Sequence, residues 1–135
     1  MKAHDLIQDY SRRCKVAFMA TCEGERPRIR PMAILAVEGN EVYMAAYAAS
    51  PKMRQLARDP HVELCFMDEQ YHHLRVQGTY EMVDDPDLKR RMWEQNPSMK
   101  EYFESADDPE YVLFKIKVEE ALLMEERQSY HKLDI

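Results

Sequence analysis

The stretch "VYMAAYAASPKMRQLARDPHVELCF", residues 42–66, reads as a strand, a capped helix and a second strand in immediate succession. Ser50 stands at the N-cap position and Pro51 at the first helical position, where its missing N–H costs nothing. Met53, Leu56 and Ala57 recur at helical spacing, and Asp59-Pro60 closes the segment. The alanines before Ser50 allow a planar ligand to approach the backbone closely. Lys52, just inside the helix, adds a full charge to the partial positive charge of a helix N-terminus. Two readings of Ser50-Pro51-Lys52 stand side by side. One is a capped surface helix with a solvated lysine; the other is a phosphate seat to which Ser50 donates its hydroxyl and Lys52 its charge.

On the N-terminal side, "RIRPMAILAV" (28–37) is a strand interrupted by Pro31, and Gly39-Asn40 forms a tight turn into "EVYMAAYA" (41–48). A proline within a strand belongs at an edge or a bulge, where the ladder needs no donor. Arg28, Arg30 and Met32 share one face of a regular strand, and Arg30 offers a forked contact to phosphate or a ring carbonyl. A solvated, arginine-rich face accounts for the same residues. "VAFMAT" (16–21) and "HVELCFMD" (61–68) are further apolar strands, and "YVLFKIKV" (111–118) is the last. "HLRVQGTYEMV" (73–83) alternates strictly: Leu74, Val76, Gly78, Tyr80 and Met82 face one way and His73, Arg75, Gln77, Thr79 and Glu81 the other. Helices are expected at 3–13, after the Asp85-Pro86 cap, and as a turn over 98–104. Six short strands with few helices predict a mainly β, antiparallel small barrel with flanking helices. With no repeat, low-complexity segment or linker, residues 1–135 read as a single domain.

A formal net charge of −6 argues against a general role on nucleic acid or anionic membranes, so an anion site has to be a local arrangement. Three cysteines without CxxC spacing suit a reducing compartment. The opening "MKAHDLIQDYSRR" lacks the apolar centre of a signal peptide, and no run of ~18 apolar residues predicts a membrane span. A cytoplasmic protein is expected. Neighbouring strand residues point apart, so His72-His73 cannot easily chelate one ion, and no metal site is expected. No nucleophile elbow, P-loop or GxGxxG fingerprint occurs, and the catalytic residues stay unassigned.

Together, "RIRPMAIL", the Gly-Asn turn, residues 42–66 and "LRVQGTYEMV" resemble the pyridoxamine 5′-phosphate oxidase-like flavin-binding split-barrel family, above all its short general-stress-protein branch. The likeness spans about residues 12–118. It implies a six-stranded split barrel, FMN as cofactor and a homodimer with flavin sites at the subunit interface. On that resemblance the flavin phosphate meets Arg30, Ser50 and Lys52, and the ring lies along Pro31, Met32, Ala33, Ala45 and Ala46. His73 would reach the flavin of the partner subunit. Departures are equally plain: Pro51 and Leu35 replace basic residues of the oxidases proper, which could move the phosphate contact to Arg54. The tail "EEALLMEERQSYHKLDI" carries neither their tryptophan nor their basic substrate segment, so oxidation of pyridoxamine phosphate is not expected. The expected function is FMN-dependent redox chemistry on a small molecule, with NAD(P)H as a possible electron donor and Tyr47 and His73 as the best-placed polar side chains. The alternatives are a flavin-binding or storage module without turnover, and a haem-binding barrel using His61, His72 or His131.

Overall fold

Alternating strands bury one side chain in two, and the computed structural model, which describes residues 2–126 and 129–135, shows where those faces meet. Arg127 and Gln128 of the tail just quoted lie outside the described residues. In chain order the elements are α1 (Ala3–Cys14), β1 (Val16–Glu23), β2 (Arg26–Ala33), β3 (Ala36–Glu38), β4 (Glu41–Tyr47), α2 (Pro51–Arg58), β5 (His61–Met67), β6 (His73–Met82) and α3 (Pro86–Gln95). A 3-10 turn (Pro97–Glu101), β7 (Tyr111–Glu126) and β8 (Ser129–Lys132) follow. Every strand pair is antiparallel, in the order β2-β1-β5-β6-β7-β4-β3, with β8 beside β7.

The sheet thus has eight strands where six were expected, and it does not close. One reason lies at Ile34-Leu35, where the expected strand over 28–37 divides. The Ile34 N–H donates to the Lys15 carbonyl at 3.1 Å and the Leu35 N–H to the Tyr43 carbonyl at 2.9 Å. Here the chain leaves β1 and joins β4, at the split between the two ends of the sheet. Pro31 sits on β2, an edge strand, as its missing donor requires. The other added strand is β8, which pairs with the part of β7 that lies beyond a bulge. Gln77 pairs with Glu120 but Gly78 with Val118, so Glu119 is an extra residue in β7. The inward phase shifts from Val118 to Ala121 and Leu123, and β7 continues well past residue 118.

One core cluster, including Ile7, Met19, Met44, Leu64, Phe66, Leu74, Val76, Phe114 and Ile116, fills the inside of the sheet beneath α1. A second holds Tyr43, Met92, Met99, Phe103, Tyr111 and Leu113 under α3 and the 3-10 turn, with Trp93 half-buried against it. On the outer face of the sheet, Val16, Phe18, Ile29 and Met67 remain 41, 45, 70 and 47 % exposed, leaving an apolar face that this chain does not cover. No helix among the described residues is long and apolar enough to cross a membrane.

At the bulge, a Cβ on Gly78 would press into the Lys117 carbonyl, whose carbon would stand only 2.9 Å away. The Lys117 backbone cannot give without breaking the ladder. Gly78→Ala is therefore expected to cost about 2 kcal/mol of stability, read as a lower denaturant midpoint at unchanged slope.

Candidate functional site

A narrow cavity of ≈ 230 Å³ opens where β2 departs from the sheet. Pro31, Met32, Ala33 and Leu35 form one wall, and Ala45, Ala46 and Tyr47 of β4 the other; Lys52 stands among the lining residues, with Ser98, Met99, Tyr102 and Phe103 beyond. The alanines keep the walls low. Tyr47 donates its hydroxyl to the Tyr102 carbonyl at 2.8 Å and tilts against Phe103, with ring centroids 4.9 Å apart. Those contacts tie the segment after the 3-10 turn to β4 and shut that side of the cavity.

Six of the nine residues picked from the sequence (Pro31, Met32, Ala33, Ala45, Ala46 and Lys52) line this one space. Arg30 and Ser50 adjoin it through Lys52. The Lys52 ammonium donates to Ser50 Oγ at 2.8 Å, and the Arg30 charge is near enough to disfavour its protonation. Ser50 holds the N-cap backbone position, but its hydroxyl accepts from Lys52 and does not cap the helix. Met53 N–H donates to the Ser50 carbonyl instead, at 3.0 Å. The Ser50 proton is left for another acceptor.

The electrostatics are unusual for an acidic protein. Burial, and then the Arg30 charge, pull the Lys52 pKa below that of a free lysine; burial also lowers that of Arg30. Arg30 donates only to neutral oxygens: Thr21 Oγ1 and Gln55 Oε1, both at 2.8 Å, and the Met19 carbonyl at 3.3 Å. Among the described residues neither cation has a carboxylate partner, whereas Arg28, on the same face, is paired with Glu23 at 3.0 Å. Two half-buried, mutually repelling, unpaired cations form a seat that an anion stabilises.

Other residues singled out above lie outside this cavity. His73 is on the outer face of the sheet, away from this cavity, with Nε2 2.9 Å from the Tyr130 hydroxyl and Nδ1 3.1 Å from the Tyr71 carbonyl. Arg54 lines a separate hollow with Glu23, Arg58 and Asp59 and is not among the residues of this cavity. A larger hollow of ≈ 500 Å³ on the outer face is lined by Glu63, Glu119 and Glu120, and its charge repels the anion that the smaller one attracts. Among the described residues no three His, Cys, Asp or Glu side chains are grouped to hold a metal ion.

Sequence reasoning missed Ser98, Met99, Tyr102 and Phe103, which come from a distant segment and carry no motif. It also missed Gln55 and Thr21. Helical spacing put Ala57 on the inner face of α2, but Ala57 is exposed and Gln55 is buried beside Leu56. Gln55 lies 25 positions from Arg30, and no spacing in the sequence marks their contact.

Residues 3–125 match the family model described as pyridoxamine 5′-phosphate oxidase. No curated protein matches the sequence. Among solved structures the fold is similar to that of a NimC/NimA family protein from Clostridium acetobutylicum, at 23% identity over 96% of this chain and 90% of that one, with a TM-score of 0.85. It is also similar to general stress protein 26 from Bacillus anthracis, at 22% identity, 98% and 100% coverage and a TM-score of 0.82. A haem-binding protein from Mycobacterium smegmatis shares the fold at 14% identity, covering 99% of this chain and 58% of that one, with a TM-score of 0.79.

Proposed function

This chain belongs to the pyridoxamine 5′-phosphate oxidase family, and on that premise we propose that it binds FMN and performs flavin-dependent redox chemistry on a small molecule other than pyridoxamine phosphate. The observation that carries the reading is the pair of unpaired cations, Arg30 and Lys52, beside a slot walled by alanines. Arg30, Lys52 and the Ser50 hydroxyl would hold the phosphate. The backbone of Pro31–Ala33 and of Ala45-Ala46 would flank the ring, with Leu35 and Met99 excluding water. A bound flavin supplies hydride or electron transfer; the protein sets access and orientation. Tyr47, Lys52 and Tyr102 are the titratable side chains of the lining, and among the described residues no carboxylate or imidazole joins them. Protons for substrate reduction would therefore come from Lys52, from a tyrosine, from solvent or from a second subunit.

A homodimer belongs to the same reading. Val16, Phe18 and Ile29 form an uncovered apolar face on which Pro31 and Ala33 also lie, and these last two line the cavity. A second copy seated there would wall the slot on its open side. Met67 pairs with His73, which puts His73 on that same face; from there it would reach the other subunit's flavin and not its own. NADH or NADPH is the proposed electron donor, and the cytoplasm the proposed compartment.

The deciding experiment is the visible spectrum of the purified protein before and after adding FMN, followed by stopped-flow mixing with NADH or NADPH. A bound flavin spectrum and rapid bleaching are expected. Binding without bleaching by any donor makes the protein a flavin carrier. A haem band overturns the flavin assignment, although His61, paired with Asp59 at 2.6 Å, and His72 lie outside the cavity.

A further inference from the structure

Arg30 is held by one edge of its guanidinium and open on the other. Its Nη1 donates to Thr21 Oγ1 and its Nη2 to Gln55 Oε1, both at 2.8 Å. Thr21 in turn donates to Gln55 Oε1 at 2.7 Å, so the two acceptors sit close enough to occupy the same, terminal edge of the guanidinium. The other Nη1 hydrogen goes to the Met19 carbonyl at 3.3 Å. Of the five N–H donors of an arginine, Nε–H and the second Nη2 hydrogen are left, and these two are parallel. Among the described residues nothing accepts from them. They form a fork of the shape that accepts two oxygens of one phosphate.

Gln55 is 7 % exposed and Thr21 2 %, so the clamp is rigid and dry. Its orientation is also determined. Gln55 Nε2 donates to Glu23 Oε2 at 3.0 Å, which leaves Oε1 for Arg30. The carboxylate is thereby held one amide away from the arginine, and its other oxygen takes Arg28. A carboxylate at position 55 would still accept from Arg30, but it would cancel the charge of that arginine and lose the amide donor that now meets Glu23. We infer that Gln55, with Thr21, is the positioning residue of the anion seat, aiming the Arg30 fork at a phosphate monoester while leaving the charge of that arginine uncompensated. This rests on the reading that a flavin phosphate occupies the seat.

The test compares the dissociation constants of FMN and of riboflavin, which lacks the phosphate, for the full chain and its variants. Gln55→Glu is expected to weaken FMN by about 100-fold, from a full charge cancelled at close range. Gln55→Leu, which loosens the clamp without cancelling charge, should cost roughly tenfold. Riboflavin affinity should stay within about twofold in both. In an Arg30→Ala background neither substitution should weaken FMN further. A residue that only holds the fold would weaken both flavins together, make leucine the worse substitution and keep its effect without Arg30; any of these overturns the inference. Should the Gln55 variants not fold, Thr21→Val reports on the same edge: FMN weakened several-fold with riboflavin unchanged supports the clamp, and equal weakening overturns it. A wild-type protein that binds FMN no tighter than riboflavin is a separate result, and it overturns the phosphate seat itself.

Discussion

Arg30→Ala is expected to weaken FMN by about 100-fold while changing riboflavin affinity by no more than about twofold, because a bidentate charge-assisted contact is lost and nothing else in the slot moves. The fold should tolerate the change. Thr21 and Gln55 remain hydrogen-bonded to each other at 2.7 Å, and Gln55 keeps Glu23 at 3.0 Å, so no buried polar group is stranded. Lys52 even gains, since the Arg30 charge that opposes its protonation is gone and only burial still lowers its pKa. Isothermal titration with both flavins, alongside a thermal melt, separates the outcomes. Equal loss of both flavins would make Arg30 a structural residue, and no loss at all would place the phosphate elsewhere. The charge pattern supports the first expectation: a net charge of −6 offers many carboxylates, yet among the described residues none pairs with this arginine.

How far the sequence carries that conclusion depends on the kind of signal involved. Period-two alternation placed β6, with Leu74 and Val76 fully buried, and the Gly39-Asn40 turn joins β3 to β4 as its residues demand. Asp85 caps α3, its Oδ1 accepting from Asp87 and Leu88 N–H at 3.1 and 3.2 Å. Local chemistry decides all three. The division of β2 from β3 was not legible, because Ile34 and Leu35 are ordinary strand residues and only the position of β4 draws the Leu35 N–H away. Nor was the far end of β7, where the extra Glu119 interrupts the alternation that a strand is recognised by. The site shows the same contrast. Small residues, a proline on an edge strand and a lysine at a helix start mark two walls and one charge. The 3-10 segment and the Gln55 clamp depend on contacts between distant parts of the chain, which no spacing records.

The apolar outer face gives the second large effect. Phe18 and Ile29 are 45 % and 70 % exposed and belong to adjacent strands, with Ala20 paired to Ile29 and Phe18 to Pro31. Neither supports this chain's own core, so aspartates there should leave the protomer folded; at the centre of a subunit interface they would bury two unpaired charges. Phe18→Asp with Ile29→Asp is expected to weaken dimerisation on the order of 1000-fold, turning a dimer at micromolar concentration into a monomer by sedimentation or light scattering. FMN uptake should fall with it, because the open side of the slot next to Pro31 and Ala33 would face water and His73 of the second copy would be absent. Arg30→Ala should do the reverse, losing FMN and staying dimeric. A monomeric variant with full FMN affinity would show that one chain completes the site alone. A variant that stays dimeric would place the contact between copies on another face. The two variants thus divide the reading into its parts: Arg30 tests the charge proposed to hold the phosphate, and Phe18 with Ile29 tests the wall proposed to come from the other subunit.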